Sequence, residues 1–482
     1  MAGVRAVLGD DEQRRRLAAW AGAVLLAVLA FSATWRATPT GAFAGTDSQT
    51  YLAVAGNLRD GQGPTSSFTN EYDGTAPTVA IEREGRHPLL LWPPLYPVAL
   101  AAGSLFGVAP DAFARTVGAL GAAVTALLTV RLGRRLSGST LAGMAIAALF
   151  FANVSTQLLF ATISSESLYT PLLVGGALAL ARALDEPDAR HLGLLGALAA
   201  AAPLPRDTGL GPIAAVFVSV RLGADRPAED RSRLAWLVAL GAVAPLVLWT
   251  VATRLAAEAT NRAIGWYDRF GELGDFAGLL ADWVVPPDDL TGDARPWIVV
   301  AIGVACVVAL VAWLHLADRA DRADAEQQAV LAARSTLLVV LGHLGFVVGA
   351  AFVLDRSLAM DQRMLMPVIP LVLALVVGGP AWWLRDHLPA PARWVPVSLV
   401  AAVALIGGLR VWEPASRIIV FSDLPGVLDP QLDEATAGVL AQLPEDVTVF
   451  SNSPTALFAL TGRGSVGLPY QRYPRAGAAN GA

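Results

Sequence analysis

Two carboxylates and two guanidiniums sit at the edges of apolar runs: Asp47 in "GTDSQTYLAVAGNLRDGQG", Glu166 in "ISSESLY", Arg206 in "PLPRDTG" and Arg363 in "DQRMLMP". A carboxylate beside a hydroxyl nucleophile works as a general base once burial or neighbours tune its proton affinity. Read that way, Asp47 is a general base or a metal ligand. The plainer reading is a helix N-cap, because "TDS" precedes a periodic stretch of Tyr51, Leu52, Val54, Ala55 and Leu58. Arg206 is an ionisable group at membrane depth, which points to function by default; the alternative is a structural pair with the neighbouring Asp207. Arg363 either reaches an anion or anchors a helix start at the interface. Tyr51 anchors an interfacial helix or touches substrate. Glu82, Arg83, Arg86 and His87 form a mixed-charge patch whose ordinary state is a solvated loop, and His87 is its candidate for substrate binding. His343, alone in an apolar run, reads as a hydrogen-bonded packing residue.

The elements that must position these groups are membrane spans. The chain has 482 residues, 55% hydrophobic and 16% charged, and its apolar runs repeatedly reach the ~20 residues needed to cross a bilayer. This composition implies an all-α polytopic membrane protein. A net charge of -5 gives no reason to expect nucleic acid as a partner. The one cysteine, Cys306, excludes an intramolecular disulfide and thiolate metal sites. "AFA" at Ala42 to Ala44 resembles a cleavage site, but the preceding apolar run is too long for a signal peptide. A retained anchor is expected.

Arginine density assigns the sides. A first span, Leu17 to Trp35, follows Arg14, Arg15 and Arg16, which places the N-terminus in the cytoplasm and residues 36–110 outside as the first outer loop. Within it, the apolar part of "PPLYPVALAAGSLFGVAP" is about fourteen residues long, an interfacial or re-entrant length. Counting it as non-crossing puts "RLGRRLSG" inside, as the positive-inside tendency prefers. Spans then follow from Ala112 to Val130, Leu141 to Thr162 and Leu168 to Leu184. The next pair, Leu192 to Pro205 and Leu210 to Leu222, has limbs of only about 20 Å at 1.5 Å per residue, so the tip at Arg206 is expected below the outer surface. Further spans run Leu234 to Leu255, Trp297 to Leu316, Thr336 to Leu354, Leu365 to Leu384 and Trp394 to Trp412. That makes about eleven transmembrane helices with outer-face interfacial helices and an extracytoplasmic C-terminus. Residues 1–412 are the membrane domain. Residues 413–474 read as a small outer α/β appendage, with "VTVFS" as a strand between helices, and 475–482 as a disordered tail. The polar residues collect on the outer side, which favours an outward-facing site.

In order and side, the acid after the first helix, "YLAVAGNLRDGQG", "WPPLYP", the acid in "SSESLY", the arginine in "PRDTG" and "QRMLMPVIP" resemble the GT-C superfamily of membrane glycosyltransferases. Within it the sequence is most similar to the polyprenyl-phosphate-sugar-dependent branch, which holds the RgtA/B/C/D-like, protein mannosyltransferase-like and aminoarabinose transferase-like enzymes. The resemblance covers roughly Leu17 to Pro370. It implies a GT-C fold and transfer of a sugar from a polyprenyl-phosphate-linked donor to a hydroxyl on a cell-envelope glycan, lipid or protein at the outer face, with inversion. It also implies that Asp47 is the first-loop catalytic or acceptor-orienting acid; Glu166, at the second acidic position, assists the acceptor or holds a cation, or is a solvated carboxylate after a helix. Arg206 and Arg363 would then bind the lipid phosphate, for which a planar, permanently charged guanidinium is suited. Three departures stand out: Ser48 follows Asp47 where a second acid is common, Trp92 precedes the proline pair where histidine or lysine is usual, and Glu166 replaces aspartate. They leave the participation of a divalent cation open. The alternatives are a flippase or transporter of lipid-linked sugars, and a non-catalytic assembly subunit of the same fold. Transporters commonly show paired repeats with discontinuous helices, whereas one short pair is visible here.

Overall fold

The computed structural model describes residues 2–38, 42, 46–67, 87–89, 92–186, 188–222, 228–257, 324–353 and 362–387, with short pieces between 438 and 451 and at 466–467. The described chain is almost entirely helical. Five helices are long and apolar enough to cross a membrane, six if a bent pair counts as one span. The expected spans at 297–316 and 394–412, and most of the appendage, lie outside the described residues. Two pieces of the appendage, β3 (Phe450–Ser451) and β4 (Val466–Gly467), pair in parallel, and β3 falls within the expected strand.

Helix α1 (Ala2–Ala37) packs along α4 (Pro110–Ser137). Leu17, Val24, Leu25 and Val28 of α1 remain exposed, as a lipid-facing stripe must be. Arg115 of α4 ties off its end, stacking 3.8 Å over the Trp35 ring and donating to the Trp35 carbonyl and to Thr38 Oγ1. Between them lie α2 (Thr46–Arg59) and α3 (Leu95–Ala102), which meet through an edge-on contact of Tyr51 with Tyr96, centroids 4.9 Å apart. The α2 helix ends in the "GQG" turn, where Gly61 and Gly63 adopt positive φ. A short antiparallel ladder of β1 (Thr65–Ser66) with β2 (His87–Pro88) follows. Helix α3 and its 3-10 extension Gly103–Phe106 leave Val98, Leu105 and Phe106 exposed. This is the short apolar segment that the sequence led us to expect, too short by itself to count as a span.

Helix α4 starts with Pro110 at its first turn, where the missing N–H costs nothing, and stops at Gly138 in the left-handed region. Its return stroke is broken: α5 (Thr140–Phe151) and α6 (Val154–Ala161) meet at a 76° bend. The bend frees carbonyls that apolar surroundings cannot satisfy. Thr156 Oγ1 donates to Phe150 O at 2.7 Å and Gln157 Nε2 to Phe151 O at 2.8 Å, so two carbonyls freed at the bend remain hydrogen-bonded.

Helix α7 (Glu166–Asp185) then runs parallel to α4, with Gly121 against Ser167, Leu128 against Gly175, and Arg135 bonded to Asp185. This parallel course follows from one intervening return stroke. Helices α8 (Ala189–Ala201) and α9 (Leu210–Leu222) form the short hairpin, 13 residues each, with the 3-10 turn Asp207–Gly209 at its tip. Helices α10 (Ala228–Ala257), α11 (Asp324–Val353), α12 (Gln362–Leu365) and α13 (Ile369–His387) complete the described bundle. The main core gathers Tyr169, Leu173, Ala177 and Leu180 of α7 with Leu132 and Leu136 of α4, Ala215 and Val216 of α9, Val339 of α11 and Leu371 of α13.

Small residues bring these helices together, as expected where lipid is as apolar as the side chains. A Cβ at Gly121 would overlap the Ser167 carbonyl oxygen, so only glycine lets α4 support the chain immediately around Glu166. Gly121→Ala forces a backbone shift there and is expected to cost about 1–3 kcal/mol. Thermal unfolding of the purified variant in detergent checks this, and an unchanged midpoint would refute the close approach.

Candidate functional site

Five of the six candidate residues meet at one end of the bundle, four of them charged. Asp47 is carried in the first turn of α2, Glu166 opens α7, Arg206 precedes the 3-10 turn of the hairpin, and Arg363 lies in α12. Glu166 and Arg206 form an ion pair between Oε1 and Nη1. Asp47 and Arg363 form a second, with Oδ2 and Nη1 2.9 Å apart. The expectation of Asp47 as a helix N-cap is corrected: the helix begins at Thr46, and the Asp47 carboxylate is engaged by Arg363. Arg206 pairs with Glu166 at the start of α7, and among the described residues the alternative ion pair with adjacent Asp207 is not formed.

The two pairs differ in access. The Glu166 and Arg206 side chains are 2% and 14% exposed, those of Asp47 and Arg363 33% and 44%. Buried polar groups must be matched, and the inner pair is matched closely. Ser165 Oγ lies 3.4 Å from Glu166 Oε2, and Arg206 Nη2 contacts the Met364 sulfur at 3.0 Å. Since Met364 follows Arg363, the same short helix contacts both pairs.

Ser48 explains one departure noted in the sequence. It is buried, and its hydroxyl donates to the Ile163 carbonyl at 2.7 Å. A carboxylate there could not donate. This bond fixes α2, and Asp47 with it, against the chain leading into Glu166. At the start of α3, the Leu95 N–H donates to Leu204 O at 2.9 Å and tethers the hairpin tip.

Tyr51 lies among the charges but is buried in packing against Tyr96. Burial raises its phenol well above the ordinary value, and the Asp47 and Glu166 carboxylates push the same way. It is therefore a neutral hydroxyl. His87 belongs to the β1–β2 ladder through its backbone, opposite Ser66; its side chain and Glu82, Arg83 and Arg86 lie outside the described residues. Among the described residues no group of three histidine, cysteine or acidic side chains could hold a metal ion. Both candidate acids instead carry a guanidinium.

Sequence reasoning missed how the pairs are supported. His343 of α11 is fully buried, with Nδ1 2.8 Å from the Tyr169 hydroxyl and Nε2 2.8 Å from the Met364 carbonyl. A carbonyl only accepts, so Nε2 carries the proton, and in the neutral ring Nδ1 accepts from Tyr169. The histidine thus holds the Arg363–Met364 backbone to α7. No spacing in the sequence signals a bridge between residues 174 positions apart.

Two stability tests follow. Glu166→Ala strands Arg206 in a largely buried setting and is expected to cost about 3 kcal/mol, whereas Asp47→Ala, at a half-open pair, changes stability by less than about 1 kcal/mol. Unfolding midpoints of the two variants in detergent decide whether the pairs differ as their burial implies. His343→Leu leaves a hydroxyl and a carbonyl unpaired and is expected to lose about 1–3 kcal/mol for each; His343→Gln, which can both donate and accept, should recover part of it in the same measurement.

No family model matches the sequence, and no curated protein matches it. Among solved structures, ArnT from Cupriavidus metallidurans bound to undecaprenyl phosphate is similar to this chain at 14% identity, covering 94% of this chain and 87% of that one, with a TM-score of 0.44. The apo state of the same ArnT aligns at 14% identity over 96% and 88%, with a TM-score of 0.43.

Proposed function

We propose that this protein is a membrane glycosyltransferase that moves a sugar from a polyprenyl-phosphate-linked donor to a hydroxyl acceptor at the outer face. The observation that carries the reading is the convergence of one accessible and one buried carboxylate–guanidinium pair at a single end of the bundle. A transport pathway would need polar groups distributed toward the middle of the membrane.

The step has a simple balance. The acceptor hydroxyl gives its proton to the Asp47 carboxylate as its oxygen attacks the anomeric carbon. The bond from that carbon to the phosphate oxygen breaks, and its electron pair leaves with the polyprenyl phosphate. Attack opposite the leaving group inverts the centre. In the structure the Asp47 carboxylate and Arg363 satisfy each other. A donor phosphate competes with Asp47 for the exposed guanidinium, so donor binding would release the base at the moment it is needed. Arg206, oriented by Glu166 and Met364, adds charge that stabilises the departing phosphate. Glu166 serves this reading as the residue that fixes Arg206.

The test is transfer from radiolabelled polyprenyl-phosphate sugars in membranes containing wild type or Asp47→Asn at matched levels. We expect transfer by the wild type and a loss of at least about 100-fold in the variant, the lower range for a general base. Equal transfer by both removes Asp47 from the mechanism. With a donor panel shown active by a control enzyme, no transfer by the wild type counts against the enzyme reading.

A further inference from the structure

A second feature lies away from the paired charges. Helices α3, α4, α7 and α8 enclose an open cavity of about 550 Å³, whose lining is apolar except for Arg131 of α4 and Arg182 of α7. Leu95 and Leu168 line it near the Glu166 end. Arg182 lies sixteen residues along α7 from Glu166, about 24 Å at the helical rise, which brings it toward the opposite edge of the hydrocarbon. The parallel alignment of α4 with α7 carries Arg131 to the same end.

These arginines differ from their neighbour. Arg135 is bonded to Asp185 at 2.9 Å. Among the described residues neither Arg131 nor Arg182 has a carboxylate in ion-pair contact. Arg131 lies 5.0 Å from the Trp20 ring centroid, and Arg182 is near enough to Arg135 to repel it. Among the described residues no acidic side chain lines the cavity. Two cations at the mouth of an apolar groove that follows α7 for about 21 Å match an amphiphile with an anionic head and a hydrocarbon tail.

We propose that this groove binds an anionic phospholipid from the leaflet opposite the paired charges, with its phosphate between Arg131 and Arg182 and an acyl chain lying against Leu128, Leu172 and Gly175. A chain rising from that end terminates beneath Leu168, so the lipid would support the part of α7 that presents Glu166. Charge selects the occupant: each arginine near a membrane surface favours an anionic lipid by about fivefold, and two by roughly thirtyfold.

The experiment is native mass spectrometry of the purified full-length protein, titrated with phosphatidylglycerol or phosphatidylcholine of identical acyl chains. The wild type should bind phosphatidylglycerol roughly thirtyfold more tightly, and Arg131→Gln/Arg182→Gln should abolish that preference. Arg190→Gln, an exposed arginine after the same helix end, should retain it. Gly175→Leu, which fills the groove beside Leu128 and Leu198, should weaken both lipids, with folding checked by its thermal midpoint. Equal binding of the two lipids, or a preference that survives the double substitution, overturns the proposal. So does displacement of bound phosphatidylglycerol by equimolar polyprenyl phosphate, which would assign the groove to the tail of a donor.

Discussion

The ion pair between Glu166 and Arg206 constrains the site around it. Two charges removed from water require close geometry and further bonded partners, or they destabilise the fold. The hairpin of α8 and α9 must stop short to deliver Arg206. Helix α4 must offer glycine where the chain enters α7, so that Glu166 can meet the guanidinium. The α12 segment must bring the Met364 sulfur alongside, and His343 must hold that segment by its backbone. Each requirement explains a residue whose type is otherwise arbitrary.

The outer pair obeys a different rule. Asp47 and Arg363 are open to water, where an ion pair is worth little and exchanges readily. Their value under the proposed chemistry lies in that weakness. A guanidinium held loosely by a carboxylate can be transferred to a phosphate, while the inner guanidinium stays where it is. The combination gives one fixed positive charge and one mobile one, on chain segments joined through Met364.

Much of the frame was legible because membranes impose lengths. The first helix, α4, α7, the short hairpin, α10 and α11 fall where apolar runs of the appropriate length lie, and the short α3 was recognisable for the same reason. Helix content alone could not show that α5 and α6 bend, since the hydrogen bonds from Thr156 and Gln157 that satisfy the freed carbonyls, though only six residues in reach, are made by ordinary residue types. The candidate acids and arginines stood out as charges at apolar edges. Their partners did not: Asp47 and Arg363 are 316 residues apart, and Ser48 finds its acceptor 115 residues away. Local patterns favoured an N-cap for Asp47 and left Arg206 open between function and a pair with its neighbour, and tertiary packing gave each an ion-pair partner from a distant segment.

The pairing of Glu166 with Arg206 also has an electrical consequence. Across an energised membrane, a single elementary charge at depth experiences about 2.3 kcal/mol per 100 mV for full passage. A carboxylate and a guanidinium side by side sum to zero, so voltage performs almost no net work on them at any depth. The pair itself therefore adds no sensitivity to the membrane potential, however far the hairpin tip is recessed. Voltage acts instead on any unpaired charge that enters, and the protein's own buried pair remains a fixed reference against which that charge is received.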